Sequence, residues 1–253
     1  MLTAELIKST ERPAHRGAVY FEVLANFHKF LNPKNYLEIG TRTGDSLRPV
    51  TCPSIAIDPE FRISADIIGR KSVLHIFQKT SDDFFREHDP IGLFGAPLDL
   101  AFLDGLHWYE FLLRDFINTE KACRRNSVVI LHDCIPTNLY YARRLMEDMS
   151  HLMDEMPNPY WWAGDVWKTV SILKKARPDL RIHAFDAPPT GLICITNLDP
   201  DSTVLEENYY QLVHEFADEE EDSKNFDLFQ KSLEILPTFD ISTPDRMARF
   251  FWL

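Results

Sequence analysis

Residues 36–58 read YLEIGTRTGDSLRPVTCPSIAID, and their pattern decides the architecture. YLEIG (36–40) is a short apolar run that stops at a glycine, and SIAID (54–58) is a second that ends in an acid. Working outward, VLHIFQ (73–78), LDLAFLD (98–104) and SVVILHD (127–133) are three more. Each is mostly apolar on both alternating faces, the pattern of strands buried on two sides. Between the fourth and fifth runs, HWYEFLLRDFINTEKACR (107–124) sets Phe111, Leu112, Asp115, Phe116 and Thr119 at helical spacing. Strand, helix and strand in succession predict a parallel sheet with helices on both faces. RIHAFD (181–186) and GLICIT (191–196) are joined only by Ala187, Pro188, Pro189 and Thr190. That link is too short for a crossover, so the two strands pair antiparallel. The expected fold is α/β and Rossmann-like: a mostly parallel seven-stranded sheet with an antiparallel last strand.

Around this core, GAVYFEVLANFHKFL (17–31) reads as an amphipathic helix ended by Asn32-Pro33. Residues 1–34 form an N-terminal helical segment, 35–200 the α/β domain, and 201–253 a helical extension with helices near 203–217 and 223–235. An insertion over 134–164 carries Pro136, Pro157, Pro159, Tyr160, Trp161 and Trp162. It precedes a helix, DVWKTVSILKKA (165–176), that stops at Arg177-Pro178. Trp167 shares a helix face with Val170 and reads as core, whereas Trp161 and Trp162 are candidates for an acceptor pocket or lid. Arg124-Arg125 and Lys174-Lys175 read as solvated helix ends, and the acidic run Asp218 to Asp222 as a solvated face or loop.

The 253 residues include 27 Lys plus Arg against 39 Asp plus Glu, a formal net charge of −12. Such acidity argues against general nucleic-acid binding, which needs clustered cations. No apolar stretch reaches the roughly 20 residues of a membrane span. Cys52, Cys123, Cys134 and Cys194 form no C-x-x-C pair, so free thiols and a cytoplasmic protein are expected.

The chemistry-bearing residues fall at the carboxyl ends of the strands, where open α/β sheets bind ligands. LEIGTRTGDS (37–46) puts glycines at Gly40 and Gly44 after the first strand, followed by a short helix. Glycine permits a sharp turn and close ligand approach. The stretch is neither G-x-G-x-x-G nor a phosphate loop. Glu38 at the strand end suits a cationic or amino-bearing ligand. Asp58 ends the second strand, 20 residues on, where an acid can take both ribose hydroxyls. Ser81-Asp82 follows the third strand, near where an adenine would lie. Asp104 ends the fourth strand in DGLH (104–107), and His132-Asp133 ends the fifth. These can ligate a divalent ion: two carboxylates suit magnesium, calcium or manganese, and a histidine moves the preference toward manganese, iron or zinc. His107 can instead be a general base.

On these residues the chain resembles the class I methyltransferases that use S-adenosylmethionine (SAM). The likeness is to the subgroup with an acid-Gly-x-His segment on the fourth strand and a His-Asp or Asp-Asp pair on the fifth, and it spans about 35–196. It implies cofactor binding by Glu38, Gly40, Thr41, Gly44, Ser46, Asp58, Ser81 and Asp82. It also implies Asp104 and His107 as catalytic residues, and Asp104, His132 and Asp133 as ligands of a divalent metal (Mg, Mn or Ca). The implied function is O-directed methyl transfer to a small hydroxylated molecule or sugar. The charge balance and the apolar pattern predict no nucleic-acid and no membrane partner, and a homo-oligomer stays open. The alternative is a non-catalytic cofactor-binding or scaffold protein of the same fold. The sequence departs from the subgroup at Pro49, which shortens the helix after the glycine turn, and at His132, where relatives often carry an acid.

Overall fold

A computed structural model of the chain describes residues 4–145, 158, 161–218 and 222–253. Among the described residues, eight strands form one sheet: β1 (Tyr36–Ile39), β2 (Ser54–Ile57), β3 (Leu74–Phe77), β4 (Leu98–Leu103), β5 (Cys123–His132), β6 (Arg181–Phe185), β7 (Leu192–Thr196) and β8 (Ile235–Leu236). Their order is β3-β2-β1-β4-β5-β7-β6-β8. The first five are mutually parallel. The expected hairpin is present: β7 runs antiparallel to both β5 and β6.

The helices are α1 (Ala4–Thr10), α2 (Tyr20–Leu31), α3 (Ser81–Glu87), α4 (Pro90–Phe94), α5 (Tyr109–Lys121), α6 (Trp167–Ala176), α7 (Val204–Glu207), α8 (Tyr209–Glu215), α9 (Asp222–Ser232) and α10 (Pro244–Met247). Side chains alternate across a strand, so the sheet feeds two cores. Leu37, Ile39, Ile55, Ile57, Ala101, Leu103, Val129 and Leu131 pack with Leu112 and Phe116 of α5, Trp167 and Val170 of α6, and Phe226 and Phe229 of α9. Tyr36, Ala56, Leu100, Phe102, Val128 and Ile130 face the other way, onto Val23, Leu24 and Phe27 of α2 and onto Met247 and Phe251. Trp167 is fully buried, as expected. The four cysteines are free and buried. Among the described residues, no helix is long and apolar enough to cross a membrane.

Four expectations need correction. β3 is not buried on both faces: it has β2 as its one strand neighbour, and Ile76 is 47% exposed. The helix after the glycine turn does not form; residues 42–49 are successive turns with one helical bond, Arg48 N–H to Gly44 O, before Pro49 removes a donor. Arg124 and Arg125 are not a helix end. α5 stops at Lys121, and both arginines lie on β5, with Arg124 paired to buried Asp99 and Arg125 Nε donating to Asn197 Oδ1 at 2.9 Å. The tail is not only helical. It supplies β8, parallel to β6, because Ile235-Leu236 completes the edge that the hairpin leaves open. Lys174 and Lys175 do close α6, exposed and bonded to Ser232 and Glu215. Pro157, Pro159 and Tyr160 of the insertion, and Glu219–Glu221 of the acidic run, lie outside the described residues.

Candidate active site

One cleft of about 1020 Å³ runs along the carboxyl ends of the parallel strands. It passes from Thr80, Ser81 and Asp82 past Asp58 and the 40–43 turn to Asp104–His107, His132 and Asp133. Tyr20, Phe21, Trp161, Trp162 and Pro189 wall its far end.

The turn after β1 is built tightly. Gly40 has φ +88°, and a Cβ there would lie 1.9 Å from Asp104 O. Gly40 is therefore required where the β1 and β4 loops touch, a different reason from ligand approach. Gly44 does not line the cleft; a Cβ on it would strike Ile67. Glu38 does not line it either. Its alternation on β1 turns it inward, fully buried, where Tyr36 Oη and Ser46 Oγ donate to it at 2.7 and 3.0 Å. Burial holds its carboxyl above the usual range, against those hydrogen bonds. Thr41 and Ser46 do line the cleft.

Asp58 accepts the Arg42 N–H on Oδ2 (2.8 Å) and the Glu60 N–H on Oδ1 (2.7 Å). Each oxygen keeps a further acceptor site, so a diol fits while the turn stays braced. At the β3 end, Thr80 rather than Ser81 or Asp82 caps α3. Asp82 is held bidentately by Arg114, at 2.9 and 2.7 Å, and Tyr209 Oη stands 2.6 Å from the same guanidinium. Beside Ser81 lies Asp115 of α5, a cleft-lining carboxyl that is 3% exposed and pushed up to about 7 by burial.

At the other end four titratable side chains meet. His107 Nε2 lies 3.1 Å from Asp133 Oδ2 and 3.7 Å from Asp104 Oδ1. His132 Nδ1 lies 3.1 Å from each of the same two oxygens. Burial opposes charge on both imidazoles, yet the carboxylates outweigh it and hold both rings above their ordinary value. Burial likewise pushes Asp133 up, and the two histidines with Thr190 pull it well below the carboxylate range. Thr190 Oγ1 donates to Asp133 Oδ1 at 2.5 Å.

Residues 37–134 match the family model described as a methyltransferase domain, and the sheet order with its antiparallel seventh strand surrounds that match. Residues 37–134 carry a SAM-dependent methyltransferase domain. No curated protein sequence matches it. The O-methyltransferase TomG of Streptomyces achromogenes, solved with SAM, is 17% identical over 78% of this chain and 92% of its own, with a TM-score of 0.48. PaMTH1 of Podospora anserina, solved with S-adenosylhomocysteine (SAH), is 14% identical over 71% and 78%, with a TM-score of 0.47. The O-methyltransferase of Bacillus cereus, also with SAH, is 12% identical over 79% and 93%, with a TM-score of 0.46.

The methyltransferase domain gathers residues that sequence reasoning missed. Tyr20 and Phe21 reach the cleft from α2, Phe111 and Asp115 from α5, and Pro189 from the hairpin link. No motif flags Tyr20; its ring lies 4.1 Å from that of His132 only because α2 packs over the sheet. Asp115 did carry a signal, an acid on the apolar face of the predicted helix. As to a metal, the donor set fits one: Asp104, His107 and Asp133 each turn a ligand atom to within 4.8 Å of the others. His107 thus stands where the sequence put His132 as third ligand, while His132 bonds both carboxylates through Nδ1, its buried Nε2 having no partner.

Proposed function

We propose that this methyltransferase domain methylates a hydroxyl oxygen of a small molecule, such as a sugar or another hydroxylated metabolite. The carrying observation is that one cleft joins Asp58 and the β1 turn to the Asp104–His107–Asp133 cluster, walled by Trp161 and Trp162. When bound, SAM supplies an electrophilic methyl on a sulfonium. The chain's own residues do the rest. Asp58 offers acceptors to the ribose. Ser81 lies at the adenine end, where Arg114 already occupies the Asp82 carboxylate. Asp104 and Asp133 put negative charge beside the bound sulfonium. Trp161 and Trp162 present flat apolar faces to the acceptor and exclude water.

His107 is the residue to hold the hydroxyl's proton. Its Nδ1 faces the Trp162 carbonyl at 3.3 Å, so Nδ1 carries a hydrogen and Nε2 is the nitrogen that works. Alignment of the acceptor oxygen with the methyl group supplies up to roughly 7–11 kcal/mol in favourable model systems. A second reading is favoured by the convergence of three ligand atoms: a divalent cation held by Asp104, His107 and Asp133 would acidify the hydroxyl, with manganese, iron or zinc suiting the mixed donor set.

The test is calorimetric titration of the purified protein with SAH, NAD and a nucleotide sugar, followed by SAM incubation with a panel of sugars and phenols. Tight SAH binding and a methylated oxygen are expected. SAH binding with no acceptor methylated would favour the scaffold alternative; NAD binding in place of SAH would overturn the reading.

A further inference from the structure

The end of the insertion grips His107 at three points. The Trp162 carbonyl faces its Nδ1, and the Trp162 ring stacks on the imidazole with centroids 5.1 Å apart at 28°. The Asp165 N–H donates to the His107 carbonyl at 3.2 Å. Gly164, at φ +66°, lets the two backbones touch: a Cβ there would fall 1.9 Å from His107 O and 2.7 Å from His107 Cβ.

The Asp165 side chain works on the next turn of the same loop. α5 begins at Tyr109, and its N-cap residue, Trp108, makes no side-chain capping bond. Free N–H groups at a helix start need acceptors. Asp165 Oδ1 supplies one from 56 residues away, accepting the Tyr109 N–H at 3.1 Å. Thr169 Oγ1 donates to Tyr109 O at 3.0 Å, from one turn further along α6. Asp165 is 1% exposed. Its charge is matched by Arg144 Nη1 at 3.1 Å and by Lys168 Nζ at 3.8 Å, and Lys168 in turn reaches Asp222 of α9 at 2.7 Å. Arg144 also binds Glu110, the second residue of α5, through Nη1 at 2.9 Å. A buried ionic cluster is a poor source of net stability, because desolvation offsets attraction. What this one does is hold a short loop in one geometry.

We infer that Asp165 is a positioning residue for His107: with Gly164 it locks residues 107–109 so that Nδ1 stays on the Trp162 carbonyl and Nε2 stays on the carboxylates of Asp104 and Asp133. The inference rests on the proposed role of His107. It also ties that residue to the acceptor wall, since Trp162 both lines the cleft and stacks on His107. The insertion thereby shapes the acceptor pocket and orients the proton-holding ring as one unit.

The experiment is ¹⁵N NMR of the histidine ring nitrogens in the full-length protein without cofactor, with the His107 signals assigned by their loss in His107→Gln. Asp165→Ala is expected to abolish the hydrogen-bonded Nδ1–H signal of His107, leaving a ring averaged between tautomers. Asp165→Asn keeps an acceptor for the Tyr109 N–H and is expected to restore the signal. Gly164→Ala keeps every charge and is expected to shift the same resonances; it decides the matter if Asp165→Ala fails to fold. SAH affinity, measured in parallel, is expected to be unchanged in both folded variants. Unchanged His107 resonances in a folded Asp165→Ala, or in Gly164→Ala, would overturn the positioning role. Failure of the wild-type protein to bind SAH would instead strike the functional reading on which it rests.

Discussion

His107 Nε2 and Asp133 Oδ2 meet 3.1 Å apart, although one follows β4 and the other β5. His107 Nδ1 faces the Trp162 carbonyl at the same time, so Nε2 is the nitrogen left to take a proton, and the neighbouring carboxylates favour the imidazolium that forms. His107→Ala is expected to lower methyl transfer by about 10²–10⁴-fold, the scale on which a positioned base acts, while SAH affinity is kept. Initial rates on the first acceptor identified check this; unchanged turnover would dismiss His107 as the base.

Asp58→Asn is expected to weaken SAH binding by about ten- to a hundredfold, since hydrogen bonds to a charged group are worth about 1.5–3 kcal/mol. Calorimetry measures it. Affinity equal to wild type would mean that Asp58 serves only the Arg42 and Glu60 amides.

Manganese is expected to raise the melting temperature if Asp104, His107 and Asp133 hold an ion, since a ligand at a hundredfold excess over its dissociation constant stabilises by about 2.7 kcal/mol. The rise should vanish in Asp133→Asn. A wild-type protein whose melting is indifferent to manganese, magnesium and chelator would remove the metal reading.

Asp115 sets a pH dependence. Its folded carboxyl titrates at about 7 against an ordinary 3.8, because burial disfavours the charge. Between those values the folded state binds more protons than the unfolded chain, so this residue's contribution is full below about pH 4 and is lost as pH rises toward 7. At 1.36 kcal/mol per unit, the loss is up to about 4 kcal/mol. Asp115→Asn should flatten that decline in denaturant titrations from pH 5 to 8. An unaltered slope would place the charge cost elsewhere.

Phe251→Ala is expected to destabilise the whole domain by about 3–5 kcal/mol. Phe251 is 1% exposed and packs on Phe27 of α2 and Phe185 of β6. A chain read from its sequence as core plus extension should then unfold in one transition, with the midpoint shifted in urea. A wild-type midpoint in this variant would show that the tail is dispensable.

The fold was legible because burial on both faces of a parallel sheet leaves runs such as SIAID and SVVILHD with few polar residues, and the four-residue link at 187–190 permits only a hairpin. β3 misled because its run is as apolar as its neighbours', yet it lies at an edge. Arg124-Arg125 misled because charge marks solvent, not helix or strand, and both residues are exposed on β5, where its register on β4 shifts. Ile235-Leu236 is too short to announce a strand; only the open edge of β6 makes it one.

At the site, local chemistry placed Asp58, Asp104, His107, His132 and Asp133 at strand ends, where the α/β topology gathers them at one rim. That much follows from sequence, because a strand's length and its end are written locally. Glu38 faces inward beneath the turn, and the 40–43 turn meets the β4 loop. Tyr20 closes the cleft beside His132, and Asp165 caps α5 from 56 residues away. Those relations depend on which faces pack together across the sheet, and only the tertiary structure decides them, because contacts between distant segments leave no periodicity in either one.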